Sequence, residues 1–239
     1  RESALTLSRM VHFTLFGIPV YIRPSFWVVL AIFGGALSIS SVEDLIYPAL
    51  FVIAGFVAIL SHEMGHALVG RKLGGGQQTI VLEFFGGLTS SHGMQLTRGG
   101  RALMILAGPM MTLLLGIISL WLTWNIVAPV MTSYNLNFWD LAISPFTAAL
   151  ISPKLYILSC LIMIGEWWTI LNLLPIYPLD GGQLIAQYIR SPRKVFMTGF
   201  ITAILIGLLS FQLFHGYFIP IFMALFAYSN YREYKNAPF

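Results

Sequence analysis

The sequence predicts an all-α polytopic membrane protein, with six transmembrane helices and a small membrane-associated β-sheet or re-entrant β-segment. Three observations lead there. Of the 239 residues, 57% are hydrophobic and only 9% are charged, whereas a soluble domain carries roughly a quarter charged residues. The apolar residues gather in runs long enough to cross a bilayer, which takes about 20 residues of helix. Two further segments, rich in β-branched and aromatic residues, are set apart from those runs by Gly and Pro.

Taken in chain order, Val11 to Ile22 is the first of these segments, broken by Gly17 and Pro19, and reads as a short strand or hairpin-like lead-in. Apolar spans follow at roughly 25–41, 46–70, 101–127, 153–174, 195–214 and 217–231. Between the second and third spans lies the other segment, 77–92. Gly74, Gly75 and Gly76 precede it and Gly86-Gly87 interrupts it, so it reads as a re-entrant β-segment. Irregular or extended backbone at membrane depth must be buried by protein or reached by water. The two segments are therefore expected to pair as a small sheet. The stretch 128–152 is broken by Asn135, Asn137 and Asp140 and is expected to form an external loop. No internal repeat or linker divides the chain, and residues 1–239 are expected to form one transmembrane domain.

Charge sets the topology. The net charge of +4 comes from basic residues scattered between apolar runs, a pattern that argues for a lipid bilayer as partner and against nucleic acid. With six spans and both termini cytoplasmic, every Lys and Arg falls inside except Lys154. The single cysteine, Cys160, excludes an internal disulfide. Arg1 to Arg23 lacks a continuous apolar core, so a cleavable signal peptide is not expected.

The second span carries His62-Glu63-Met64-Gly65-His66. On a helix this spacing puts two imidazoles one turn apart on one face, within reach of one zinc ion. The Glu between them lies beside the metal and can take a proton from water. Ionisable side chains at membrane depth are costly, which makes them functional candidates. His62 precedes Arg71-Lys72 by about nine residues, or roughly 13 Å of helix, which puts the motif in the cytoplasmic half of the span. A catalytic zinc takes a third protein ligand. The remaining candidates are Glu2, Glu43, Asp44, Glu83, Asp140, Glu166, Asp180, Glu233, His12, His92 and His215. Asp180 stands out. It follows the prolines that end the fourth span and precedes Gly181-Gly182, which frees the backbone beside it.

HEMGH in one span, then Asn172-x-x-Pro175-x-x-Pro178-Leu179-Asp180-Gly181-Gly182 in a later one, resembles the site-2 protease family of intramembrane zinc metalloproteases. Ala107-Gly108-Pro109, Gly86-Gly87 and the lead-in Ile18 to Pro24 match further family elements, so the resemblance covers most of the chain. It implies one bound Zn2+ held by His62, His66 and Asp180, with Glu63 as general base. It further implies that Asn172, Gly86 and Gly87 contact substrate. The implied substrate is a transmembrane segment of another membrane-tethered protein, such as an anti-sigma or pro-sigma factor. The implied location is a prokaryotic cell membrane. No appended PDZ or CBS domain is expected, which makes this the compact form. Three positions differ from the family pattern: Thr112 where Asn is frequent, Arg23 where His is, and Phe84 where Pro is.

The competing reading is a zinc-binding membrane protein without protease activity, such as a transporter. A transporter would be expected to carry polar ligands on both sides of the midplane, and here they gather in the cytoplasmic half. Elsewhere, Glu166 reads as a buried structural acid, His92 as a solvated loop histidine, and His12 and His215 as interfacial.

Overall fold

A computed structural model describes residues 10–84, 86–93, 95–133, 145–150, 152–214 and 218–238. Two strands, β1 (Val11–Leu15) and β2 (Ile18–Ile22), lead into the short helix α1 (Pro24–Phe33). The long helix α2 (Ile46–Gly74) is followed by strands β3 (Gln77–Glu83) and β4 (Gly86–His92). Helices α3 (Arg98–Ser133), α4 (Pro145–Ala149), α5 (Pro153–Asn172), α6 (Asp180–Ala186), α7 (Pro192–Phe214) and α8 (Phe218–Asn236) complete the chain. Contacts divide it into two compact units, Arg1–Thr169 and Ile170–Phe239.

The two extended segments do pair. Together they form one four-stranded sheet in the order β1-β2-β3-β4. The strands within each segment run antiparallel, and the segments join through parallel pairing of Val20 with Ile80 and Ile22 with Leu82. Ile18, Val20 and Ile22 of β2 and Ile80 and Leu82 of β3 alternate onto one face. That face packs on Phe26 and Leu30 of α1 and on Ile59, Leu60, Met64 and Ala67 of α2. A second core joins Ala54 and Ala58 of α2 to Tyr156, Cys160 and Ile164 of α5.

Among the described residues, four stretches are helices long and apolar enough to cross a membrane: Glu43–Gly74, Arg98–Asn125, Pro153–Asn172 and Pro192–Leu213. The first expected span is shorter than its hydropathy suggested. Helix α1 stops at Phe33, because the chain turns at Gly34 and Gly35, the latter with φ of 90°, and ends in a 3-10 turn. The last expected span, 217–231, is helical from Phe218, and its helix runs on past the span through Arg232, Glu233 and Lys235 to Asn236. Residues 128–133, expected in a loop, continue α3. Asn135, Asn137, Asp140 and His215 lie outside the described residues.

In the second unit, α5 ends at Asn172 and the proline-bearing turn 173–179 leads into α6, with the Tyr177–Pro178 peptide cis. Ile176, Ala203, Met223 and Ala227 form this unit's core. Asn230 of α8 is buried and donates from Nδ2 to the Tyr177 carbonyl at 2.6 Å and to the Phe226 carbonyl at 2.9 Å, tying the turn to the helix.

Candidate metal centre

The residues of the HEMGH motif are shared among three neighbours, and the helical period decides which faces which. His62 and His66 face α3, Met64 sits in the core beneath the sheet, and Glu63 faces β4. Gly65 lies against the Ala107 carbonyl and Gly108 against both imidazoles, at distances no Cβ would allow. These glycines let α2 and α3 approach closely at the level of the histidines, a role small residues commonly play between membrane helices.

That close approach orders the rings. His66 Nδ1 lies 2.9 Å from the Met104 carbonyl oxygen, which can only accept, so Nδ1 carries the proton. His62 Nδ1 lies 3.3 Å from Thr112 Oγ1. The Thr112 hydroxyl has the Pro109 carbonyl at 3.1 Å and the Gly108 carbonyl at 3.2 Å to donate to, which leaves its oxygen able to accept from His62 when Nδ1 carries the proton. Thr169 of α5 donates to the Gly165 carbonyl at 2.6 Å and packs its hydroxyl 3.2 Å from that of Thr112. When both protons sit on Nδ1, as a metal bound at Nε2 requires, the two Nε2 lone pairs face one another at 3.1 Å. A shared cation relieves that repulsion. Two nitrogens bound tetrahedrally to zinc stand about 3.3 Å apart, close to the observed spacing. The candidate ligand atoms of His62, Glu63 and His66 all lie within 4.8 Å of one another, and all three residues are buried. The donor set therefore fits a zinc ion.

Glu63 is held from the sheet. Its Oε2 accepts a 2.7 Å hydrogen bond from Thr89 of β4, and its side chain fills the space where a Cβ on Gly87 would stand. Gly86, at φ of 119°, adopts a conformation that favours glycine, and a Cβ there would lie 2.9 Å from the Trp168 ring. The glycine pair expected to touch substrate is thus also required by its own neighbours.

Asp180 and Asn172 belong to the second unit, and both are buried. Asp180 opens α6, where the helix N-terminus favours a carboxylate. Gly181 and Gly182 are needed for volume rather than for conformational freedom. Side chains there would overlap the backbone of Leu173, Leu174, Ile176 and Tyr177. Glu166 is only half-buried, contrary to the sequence reading. His92 and His12 are exposed, the latter stacked on Tyr21. The residues that sequence reasoning did not assign to the site are Thr89, Met104, Thr112 and Thr169.

A polytopic membrane protein with a buried two-histidine, one-glutamate group on an apolar helix is the class that fold and site define. The family model that describes peptidase family M50 matches residues 50–214, and the chain belongs to that family. A protein of Methanocaldococcus jannaschii named as a zinc metalloprotease is 29% identical over 227 residues, 90% of this chain and 57% of its own length. A Synechocystis relative is 28% identical over 188 residues, 74% of this chain and 43% of its own. The chain thus spans about half the length of the curated relatives it matches. The solved structure of a site-2 protease from Methanocaldococcus jannaschii shares the fold, with a TM-score of 0.58 and 23% identity over 94% of this chain and 95% of that one.

Proposed function

We propose that the chain is a zinc metalloendopeptidase of the site-2 protease type. It hydrolyses a peptide bond in or near a transmembrane segment of a membrane-tethered substrate, as in regulated intramembrane proteolysis. The observation that carries this reading is the buried His62–Glu63–His66 group, its imidazoles held by Thr112 and the Met104 carbonyl, in a chain of family M50.

In this reading His62, His66 and Asp180 hold one zinc ion. Zinc bound there supplies a Lewis acid for the scissile carbonyl and lowers the pKa of water toward about 7. Glu63 moves the proton, first as base and then toward the leaving amine. Asn172, Gly86 and Gly87 contact the substrate backbone. A helical substrate must unwind before its amides are accessible, and β4, the last strand of the sheet among the described residues, suits an extended peptide by edge pairing. The chain acts as one domain over 1–239, with six spans, both termini cytoplasmic, in a prokaryotic cell membrane. Single-span anti-sigma or pro-sigma factors are fitting substrates.

Glu63→Gln separates the readings. It should retain zinc and lose cleavage of a single-span membrane reporter by about 100-fold or more. Undiminished cleavage would remove Glu63 as the base, and a wild-type chain that binds zinc but cleaves no reporter would favour the non-proteolytic alternative. Asp180→Asn should lose zinc, and full metal content in that variant would exclude Asp180 as a ligand.

A further inference from the structure

Strand β4 departs from the pattern of its neighbours. In β2 and β3 the face turned to α2 is apolar except at Gln78, but the β4 positions paired beside Leu82, Ile80 and Gln78 are Gly87, Thr89 and Ser91. Its large apolar residue, Leu88, points the other way and is half-exposed. A strand with polar residues on its inner face needs polar partners there. Ser91 has one in Gln78, to whose Oε1 it donates. Thr89 has Glu63.

The Thr89 hydroxyl lies 2.7 Å from Glu63 Oε2 and 3.2 Å from the carbonyl oxygen of the same residue. A hydroxyl has one proton, and the shorter contact to a carboxylate is the stronger acceptor. Gly87, two residues away on the same face, leaves the space that the Glu63 side chain occupies. Gly87 thus bounds the carboxylate sterically while Thr89 fixes its orientation by a hydrogen bond. The register Ile80↔Thr89 and Leu82↔Gly87 anchors both positions to the buried centre of the sheet.

We infer that Thr89 is the positioning residue of the general base: β4 holds the Glu63 carboxylate in its working orientation through the Thr89 hydroxyl and the gap at Gly87. This rests on the protease reading. It follows that one strand serves both tasks, since the edge offered to an extended peptide belongs to the strand that orients the base.

The test compares wild type, Thr89→Val, Thr89→Ser and Glu63→Gln as full chains in detergent micelles, on a single-span membrane reporter that the wild type cleaves. Thr89→Val keeps the volume and removes the hydroxyl. It should lower kcat about tenfold or more, part of the contribution of a positioned general base, while KM stays within about twofold and bound zinc is unchanged. Thr89→Ser should restore kcat to within about threefold. Wild-type kcat in Thr89→Val, failure of Ser to restore it, or loss of zinc from Thr89→Val would each overturn the inference. An inactive Glu63→Gln beside a fully active Thr89→Val removes the Thr89 role alone. Undiminished activity in Glu63→Gln removes Glu63 as the base, and with it the ground of this inference, while leaving proteolysis itself standing.

Discussion

Replacing Thr112 by Val should weaken zinc binding by about tenfold without unfolding the protein. Val keeps the volume of Thr and removes the hydroxyl that stands 3.3 Å from His62 Nδ1. Thr112 and His62 are 0% and 2% exposed, so water has no access to replace it. The metal-free and metal-bound forms feel the change differently. Without metal, His62 can move its proton to Nε2 and share it with His66 Nε2, 3.1 Å away. With metal, Nε2 must be a lone pair and the proton must sit on Nδ1, facing the new methyl group. The penalty therefore falls on the bound form. A buried donor left unpaired costs about 1–3 kcal/mol, which is about fivefold to 150-fold in affinity at 1.4 kcal/mol per factor of ten. The 3.3 Å separation makes this a long bond and sets the expected value near the lower end. Loss of an outer partner of a metal-bound histidine costs about 10–100-fold, in the same range. Competition with a chromophoric zinc chelator measures it directly, and Thr112→Ser should stay within about threefold of wild type. A Thr112→Val protein that binds zinc within twofold of wild type, or a Ser variant as weak as Val, would refute this reasoning.

Two other substitutions act through packing. Gly108→Ala places a methyl group against Nε2 of both histidines, so the purified variant should contain little zinc, and stoichiometric metal by elemental analysis would contradict the site as drawn. Asn230→Ala leaves the Tyr177 carbonyl without its 2.6 Å donor and should loosen the 173–179 turn by about 1–3 kcal/mol. Faster amide exchange in that turn is the expected readout, and wild-type protection there would show that Asn230 does not hold it.

The sheet was legible because Gly and Pro mark its borders and β-branched residues fill its strands, as in Ile18 to Ile22 and Thr79 to Leu82. The two histidines and Glu63 were legible because a helix makes i, i+4 spacing into a shared face. The spans were less so. Hydropathy adds residues 25–41 into one run, while the backbone turns at Gly34-Gly35 and ends α1 after ten residues. Thr89, Met104 and Thr169 were out of reach for a different reason. Their roles come from strand register and from the contact of α2 with α3 and α5, and nothing near them in sequence records it. Thr112 lay between these cases. It was visible as a polar residue three positions after Pro109, yet it read as a departure from the family pattern. The structure places its hydroxyl 3.3 Å from His62 Nδ1.

Glycine explains how so polar a group stands in so apolar a helix. Gly65 and Gly108 bring α3 close enough for a backbone carbonyl, Met104, to accept from His66 and for Thr112 to reach His62. Gly87 brings β4 close enough for Thr89 to reach Glu63. Each ionisable side chain of the motif thus gains its partner where a neighbouring glycine lets another backbone in. An unpaired imidazole or carboxylate at this depth would cost several kcal/mol, and a larger residue at any of the three glycines would separate one pair. Ala107-Gly108-Pro109 and Gly86-Gly87 therefore serve the chemistry without touching a metal. They set the distances at which His62, Glu63 and His66 can be polar, buried and oriented at once.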